Sequence, residues 1–217
     1  MINFKKYGKR CLSLFLAASM ILMPAVQTFA EEETAAATTD STQTAEEDRE
    51  TQRQNCYAIV PDSNSVENWP QGPATYADSA IVMDMNSGAV LYSKQIEKKH
   101  YPASITKLLT TLVALDNAEL TDTVEFSQDS ISFLEYGDAH IGMTPGEQIS
   151  MEDALYAVLL ASANEVSYAV AESVGKKMGG GYDTFIQAMN DESEKLGCTG
   201  SHWMNANGLH DEQHYTT

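Results

Sequence analysis

Cations are scarce in this 217-residue chain: 13 Lys and Arg stand against 31 Asp and Glu, a formal net charge of −18 at pH 7. Nucleic-acid binding rests on clustered Lys and Arg that displace counterions from phosphates, so that class of partner is excluded. Attraction to anionic lipid surfaces is excluded on the same ground. Cysteine is rarer still, with Cys11, Cys56 and Cys198 the only three, and none has the paired spacing of a structural zinc site. Long apolar runs are also missing. The best candidate, from Cys11 to about Met23, is shorter than the ~20 residues a comfortable bilayer span requires. Internal repeats are absent.

What is present at the N-terminus is an export signal pattern. Lys5, Lys6, Lys9 and Arg10 form a basic start, the apolar run follows, Pro24 breaks it, and Thr28-Phe29-Ala30 offers small residues for cleavage. Residues 1–30 therefore read as a signal peptide, with an uncleaved anchor as the alternative. Cys11 opens the apolar run instead of closing it, which argues against a lipoprotein signal. Removal of 1–30 takes four positive charges and moves the formal charge from −18 to −22. Residues 31–54 are rich in Glu, Asp, Thr and Ala with almost no large apolar side chain. Such a stretch cannot offset the entropy of ordering and is expected to be a disordered acidic linker. Residues 55–217 are expected to form the folded part; 43 % of the whole chain is hydrophobic, enough for a packed core. Export places Cys56 and Cys198 where a disulfide is permitted, and two free thiols are equally compatible with the sequence.

The periodicities predict a hairpin followed by helices. Ala80–Met83 and Ala89–Tyr92 read as strands around the turn Asn86-Ser87-Gly88. Ile105, Leu108, Leu109, Leu112, Val113 and Leu115 recur at helical spacing behind Pro102, and are expected to form one buried face. Ser150-Met151-Glu152-Asp153 resembles a capping box with Asp for the usual Glu, opening a helix through Leu155, Val158 and Leu159. Further helices are expected from about Glu165 to Met178, stopped by Gly179-Gly180-Gly181, and through Phe185, Met189 and Leu196 to Gly197.

Chemistry enters with Ser104-Ile105-Thr106-Lys107. At i and i+3 of a helix the serine and lysine share a face. A serine hydroxyl is a poor nucleophile until a base takes its proton, and a lysine is a base only when burial lowers its pKa from about 10.4. The start of a helix also turns backbone N–H groups towards a developing oxyanion. A second Ser-x-x-Lys, Ser173 to Lys176, falls late in a predicted helix among solvated neighbours and reads as surface. Ser162-Ala163-Asn164 is the sole Ser-x-Asn. The Ser162 hydroxyl could relay a proton to a leaving amine, and the Asn164 amide could bind both lysine and substrate.

Tyr101 to Lys107 together with Ser162-Ala163-Asn164 resembles the penicillin-binding and serine β-lactamase set. The chain is most similar to the low-molecular-mass D-alanyl-D-alanine carboxypeptidases, peptidase family S11. The resemblance runs from about Ala80 to Thr217. It takes in Met83 to Gly88, Phe185 to Gly197, Asn205-Ala206-Asn207-Gly208-Leu209 and His214-Tyr215-Thr216-Thr217. It implies an α/β fold of the serine β-lactamase/transpeptidase kind, a sheet with an inserted helical region. It implies that Ser104, Lys107 and Ser162 are catalytic and Asn164 substrate-binding, with no metal or organic cofactor. The substrate implied is a peptidoglycan stem peptide ending in D-Ala-D-Ala, handled outside the cytoplasm through an acyl-serine that β-lactams also form. Glu165 stands where many relatives carry Asp. The third family motif, Lys-Thr-Gly, does not occur in the 217 residues. The chain is accordingly expected to be C-terminally incomplete, to lack half the substrate cradle, to leave a sheet edge and core face exposed, and to be poorly folded and inactive as residues 31–217 alone. Any membrane attachment is expected only from a C-terminal tail beyond Thr217.

Three other readings compete with this one. A class A β-lactamase needs a deacylating glutamate, and no Glu-x-x-Leu-Asn run follows Asn164. His210 and His214 lie at i and i+4, but Asp211 occupies the position where a zincin has Glu, and Asn207-Gly208 reads as a turn. A non-catalytic wall-binding or interaction protein would keep the fold without a working pocket.

Overall fold

The structure, a computed structural model, describes residues 32–217. The export signal assigned to residues 1–30 lies outside the described residues. The chain divides into two units, Met1–Gln52 and Arg53–Thr217. Helix α1, Glu32–Ala58, occupies the stretch where composition predicts a disordered linker. Ala, Glu, Gln and Arg are good helix formers, so backbone propensity acts here without help from an apolar face.

Ala80–Met83 (β1) and Val90–Lys94 (β2) form the expected antiparallel hairpin. Gly88 takes φ +72° at its turn, and the Asp84 carboxylate accepts from the Ser87 N–H at 2.7 Å. A 3-10 turn at Ala103–Ile105 leads into α2, Thr106–Asn117. A second small sheet pairs β3, Thr123–Glu125, with β4, Gln148–Ser150. The short α3, Asp129–Ser132, lies between them in sequence. Helices α4 (Met151–Leu160), α5 (Asn164–Lys177) and α6 (Tyr182–Lys195) complete the order. The Ser150 hydroxyl accepts from the Asp153 N–H and donates to the Asp153 carboxylate, so the acid closes the cap on the hydroxyl.

Helix α5 is the spine of the helical region. Val166, Ala169, Val170, Ala171 and Val174 are buried among Val113 and Ala114 of α2, Leu155 and Val158 of α4, and Phe185 and Met189 of α6. Small residues let the axes approach closely. At Gly175 a Cβ would stand 2.0 Å from the Gly181 carbonyl oxygen, so the end of α5 and the start of α6 meet backbone to backbone.

The buried face of α2 includes Leu109 and Val113 of the expected stripe but not its other four residues. Thr106, Lys107, Leu109, Thr110, Val113 and Ala114 face inward. Ile105, Leu108, Leu112 and Leu115 are 66, 64, 37 and 49 % exposed. Two apolar rows run along this helix, and the inner one carries threonines whose hydroxyls are satisfied inside: Thr110 donates to the Ala206 carbonyl at 2.7 Å. Ile81, Val82 and Met83 of the hairpin are likewise exposed.

The hairpin is tied to the preceding segment by Lys94, which is fully buried. Its ammonium donates to the carbonyls of Cys56, Thr75 and Ala77 at 2.6, 2.8 and 2.7 Å. Cys56 and Cys198 are both free thiols. No helix among the described residues is long and apolar enough to cross a membrane. Replacing Lys94 by Met strands three carbonyls at once. The expected loss is about 3 kcal/mol or more of unfolding free energy, read by denaturant melts of the full-length gene product.

Candidate active site

The four residues singled out by their motifs come together. Ser104 sits in the 3-10 turn that opens α2, and Lys107 follows one turn later with its side chain 2 % exposed at the residue level. Lys107 Nζ reaches Ser104 Oγ at 3.1 Å, Asn164 Oδ1 at 2.8 Å and the Asn207 carbonyl at 2.7 Å. Ser162 Oγ donates to Ser104 Oγ at 2.9 Å. The lysine thus spends its three ammonium protons on a hydroxyl from its own helix, an amide from the start of α5, and a carbonyl from the loop after α6.

Burial lowers the Lys107 pKa to about 8, against the opposing pull of the Asp138 and Glu165 carboxylates. The geometry says what deprotonation does. A neutral amine keeps two N–H groups for Asn164 and Asn207, and its lone pair is left facing the Ser104 hydroxyl. The arrangement can therefore withdraw a proton from Ser104 without moving a heavy atom.

Backbone strain gathers at the same place. Ala103 and Ser162, both non-glycine, take φ +48° and +54°. Such residues cost on the order of 1 kcal/mol or more and persist where their surroundings hold them. One holder is Gly208, at φ +86°. A Cβ on it would stand 1.9 Å from the Ala103 carbonyl oxygen, so only glycine lets the 205–209 loop close on the Ser104 turn. That loop is fixed by Asn205, whose Oδ1 accepts the Gly208 N–H at 2.7 Å. It is held again by Tyr182, whose hydroxyl accepts the Ala206 N–H at 3.1 Å. The sequence marks Asn207-Gly208 as a turn but gives no sign that a backbone carbonyl within it is a lysine acceptor.

The remaining candidates lie elsewhere. Ser173 and Lys176 sit on the outer end of α5, where Lys176 pairs with Glu172 at 3.0 Å. His210 stacks edge-on against Tyr101, while His214 is buried. His214 Nδ1 accepts the Met204 N–H at 3.0 Å, which leaves Nε2–H to donate to Thr106 Oγ1 at 2.8 Å. Burial pushes the His214 pKa down, keeping that tautomer neutral. The pair is thus not assembled as metal ligands. His100, which has no partner at useful spacing in the sequence, meets Ser79 Oγ at 2.6 Å with Asp78 at 3.8 Å. Ser79 already donates to the Gln95 carbonyl at 2.8 Å. The histidine is therefore the donor in that contact, and this Ser-His-Asp grouping has no base facing the serine proton.

The sequence pattern of the Peptidase S11 family, described as D-alanyl-D-alanine carboxypeptidase, matches residues 66–217. A D-alanyl-D-alanine carboxypeptidase of Bacillus subtilis, DacF, is 32 % identical over 146 residues, covering 65 % of this chain and 36 % of its own length. A D-alanyl-D-alanine endopeptidase of Escherichia coli is 31 % identical over 137 residues, covering 63 % and 43 %. The crystal structure of a D-alanyl-D-alanine carboxypeptidase from Mycobacterium tuberculosis superposes with a TM-score of 0.58 at 30 % identity, covering 73 % of this chain and 56 % of that one. The chain therefore spans about two fifths of the length of these two curated relatives.

Gly208→Ala should act on both chain and site. It imposes a clash and a left-handed alanine, expected to cost about 2–3 kcal/mol in a thermal melt. It should also loosen the Ser104 turn, read as faster backbone hydrogen exchange there, by more than Asn205→Ala does, because only the glycine change pushes directly on that turn.

Proposed function

The chain belongs to peptidase family S11, the D-alanyl-D-alanine carboxypeptidases, and from that premise we propose that its full-length gene product removes the terminal D-alanine from peptidoglycan stem peptides by acyl transfer to Ser104. The observation that carries the reading is the position of Lys107 Nζ, 3.1 Å from Ser104 Oγ with its other acceptors already assigned. Neutral Lys107 takes the Ser104 proton as Oγ bonds to the carbonyl carbon between the two D-alanines. The tetrahedral intermediate collapses with cleavage of the C–N bond. The proton held on Lys107 reaches the leaving amine by way of the Ser162 hydroxyl, and D-alanine departs. Water then attacks the ester, gives a proton back through the same groups, and frees Ser104. The Asn164 amide, anchored on Lys107 through Oδ1, keeps its N–H₂ for a substrate carbonyl. β-Lactams would acylate the same serine.

The domain plan proposed is an export signal at 1–30, a spacer at 31–54 and the family domain at 55–217, which places the reaction outside the cytoplasm. The resemblance to an endopeptidase as well as to carboxypeptidases supports a second reading, cleavage of crosslinked stem peptides by the same acyl-serine. A non-catalytic wall-binding role predicts a folded protein that does not acylate.

A fluorescent penicillin offered to the full-length gene product should label Ser104, identified by peptide mapping. Ser104→Ala should abolish labelling. Lys107→Met and Ser162→Ala should slow it by about 10²–10⁴-fold, the usual share of general acid–base catalysis. An unlabelled but cooperatively folding wild type would select the non-catalytic role. Release of D-alanine from a linear D-Ala-D-Ala peptide, compared with a crosslinked dimer, separates the two enzymatic readings. The acylation rate at fixed, subsaturating penicillin should rise through about pH 8, since the Lys107 pKa is lowered to that value and the base is its neutral form.

A further inference from the structure

Glu165, one residue beyond Asn164, is a fully buried carboxylate in the first turn of α5. Its Oε1 accepts the Ile141 N–H at 2.7 Å, and its Oε2 has no partner among the protein atoms. The neighbouring Asn164 N–H donates to the Ala139 carbonyl at 2.8 Å. Residues 139–141 are therefore strapped across the start of α5 by two consecutive bonds, one of them made by a charged acceptor. The same turn presents the Asn164 amide to Lys107. A buried carboxylate with one idle oxygen is costly unless a positive charge stands near it. The cation at hand is Lys107, whose ammonium is stabilised by Asp138 and by Glu165.

We propose that Glu165 is a positioning residue for the Ser104–Lys107 pair: it pins the 139–141 segment on α5 so that Asn164 keeps its hold on Lys107, and it supplies the buried counter-charge that steadies the Lys107 ammonium formed when Ser104 is attacked. The inference rests on the acyl-serine reading above. The groups facing Lys107 are few. Asp138, on the segment between α3 and β4, and Glu165, on α5, act on it through their charge without a direct ion pair, while α2 brings the uncharged Thr106 bonded to neutral His214. The 205–209 loop brings the Asn207 carbonyl. His140 beside the strap is exposed. Among the described residues, Glu165 is thus the one fully buried carboxylate opposing the lysine.

Glu165→Gln separates the two parts of the role. The amide oxygen still accepts from the Ile141 N–H, so the strap stays and the charge goes. Glu165→Ala removes both, and Glu165→Asp keeps charge but shortens the reach. The first readout is the titration of Lys107 itself, followed in the full-length gene product by pH-dependent acetic anhydride labelling and mass spectrometry. The second is the pH profile of fluorescent-penicillin acylation. Loss of the counter-charge should move the Lys107 midpoint of Glu165→Gln to lower pH by about half a unit to one unit. The acylation profile should shift with it and its plateau should fall by up to about tenfold, because a weaker base and a less supported ammonium both slow proton removal. Glu165→Asp should restore the midpoint, and Glu165→Ala should lower the plateau further. An unchanged Lys107 midpoint in a folded Glu165→Gln protein overturns the proposal. If the midpoint moves but the wild type never acylates, the coupling stands and the enzymatic reading is what fails.

Discussion

The structure turns on one buried amine. Lys107 joins three separate pieces of chain, its own helix through Ser104, the α4–α5 junction through Asn164, and the 205–209 loop through Asn207. A desolvated charge is expensive unless each of its protons has an acceptor, so these three pieces are constrained relative to one another by the lysine's demand. The core beneath supplies the rigidity. Small residues along α5 let α2, α4 and α6 close on it, and the acceptors arrive at hydrogen-bonding distance because the helix axes are fixed.

Part of that closure is held as strain. The left-handed Ala103 and Ser162 sit on opposite sides of the Ser104–Ser162 contact. The two unusual φ values thus flank a serine–serine hydrogen bond between elements far apart in sequence. Gly208 is the complementary concession: its missing side chain makes room for the Ala103 carbonyl. Strained backbone at a reactive group, with the surroundings bearing the cost, is the general pattern of preorganised sites.

How much of this was legible in the sequence depends on whether an interaction is local. The hairpin, the Ser150 cap and the glycine stops after α5 and α6 are decided within a few residues and were readable. So was the contact between Ser104 and Lys107, because their spacing is set by one helical turn. The side of α2 that is buried was not. Periodicity identifies a stripe, and α2 carries two, so Ile105, Leu108, Leu112 and Leu115 read as core while Thr106 and Thr110 hold the inner face. Threonine wins there only because Ala206 and His214 supply partners from beyond residue 200, which no local pattern reports. The same limit hid the Asn207 carbonyl. Backbone acceptors carry no residue signature, and a turn motif says where the chain bends without saying what it bends towards. Helix α1 differs for the opposite reason: hydrophobic content governs packing, while backbone propensity alone governs whether Glu32–Ala58 coils.

A comparison within the molecule shows why burial alone does not make a lysine a base. Lys94 is as buried as Lys107 and also has three acceptors. All three are backbone carbonyls. Removing a proton from Lys94 would aim its lone pair at an oxygen with nothing to donate, so the loss of charge would leave a buried repulsion in place of a hydrogen bond. At Lys107 one acceptor of the three is a hydroxyl. When that amine loses its proton, Ser104 can reverse its role from acceptor to donor and the contact survives with its direction changed. The capacity to exchange a proton thus lies in the identity of the third partner, and a single serine in place of a carbonyl distinguishes a clamp from a pair able to pass a proton.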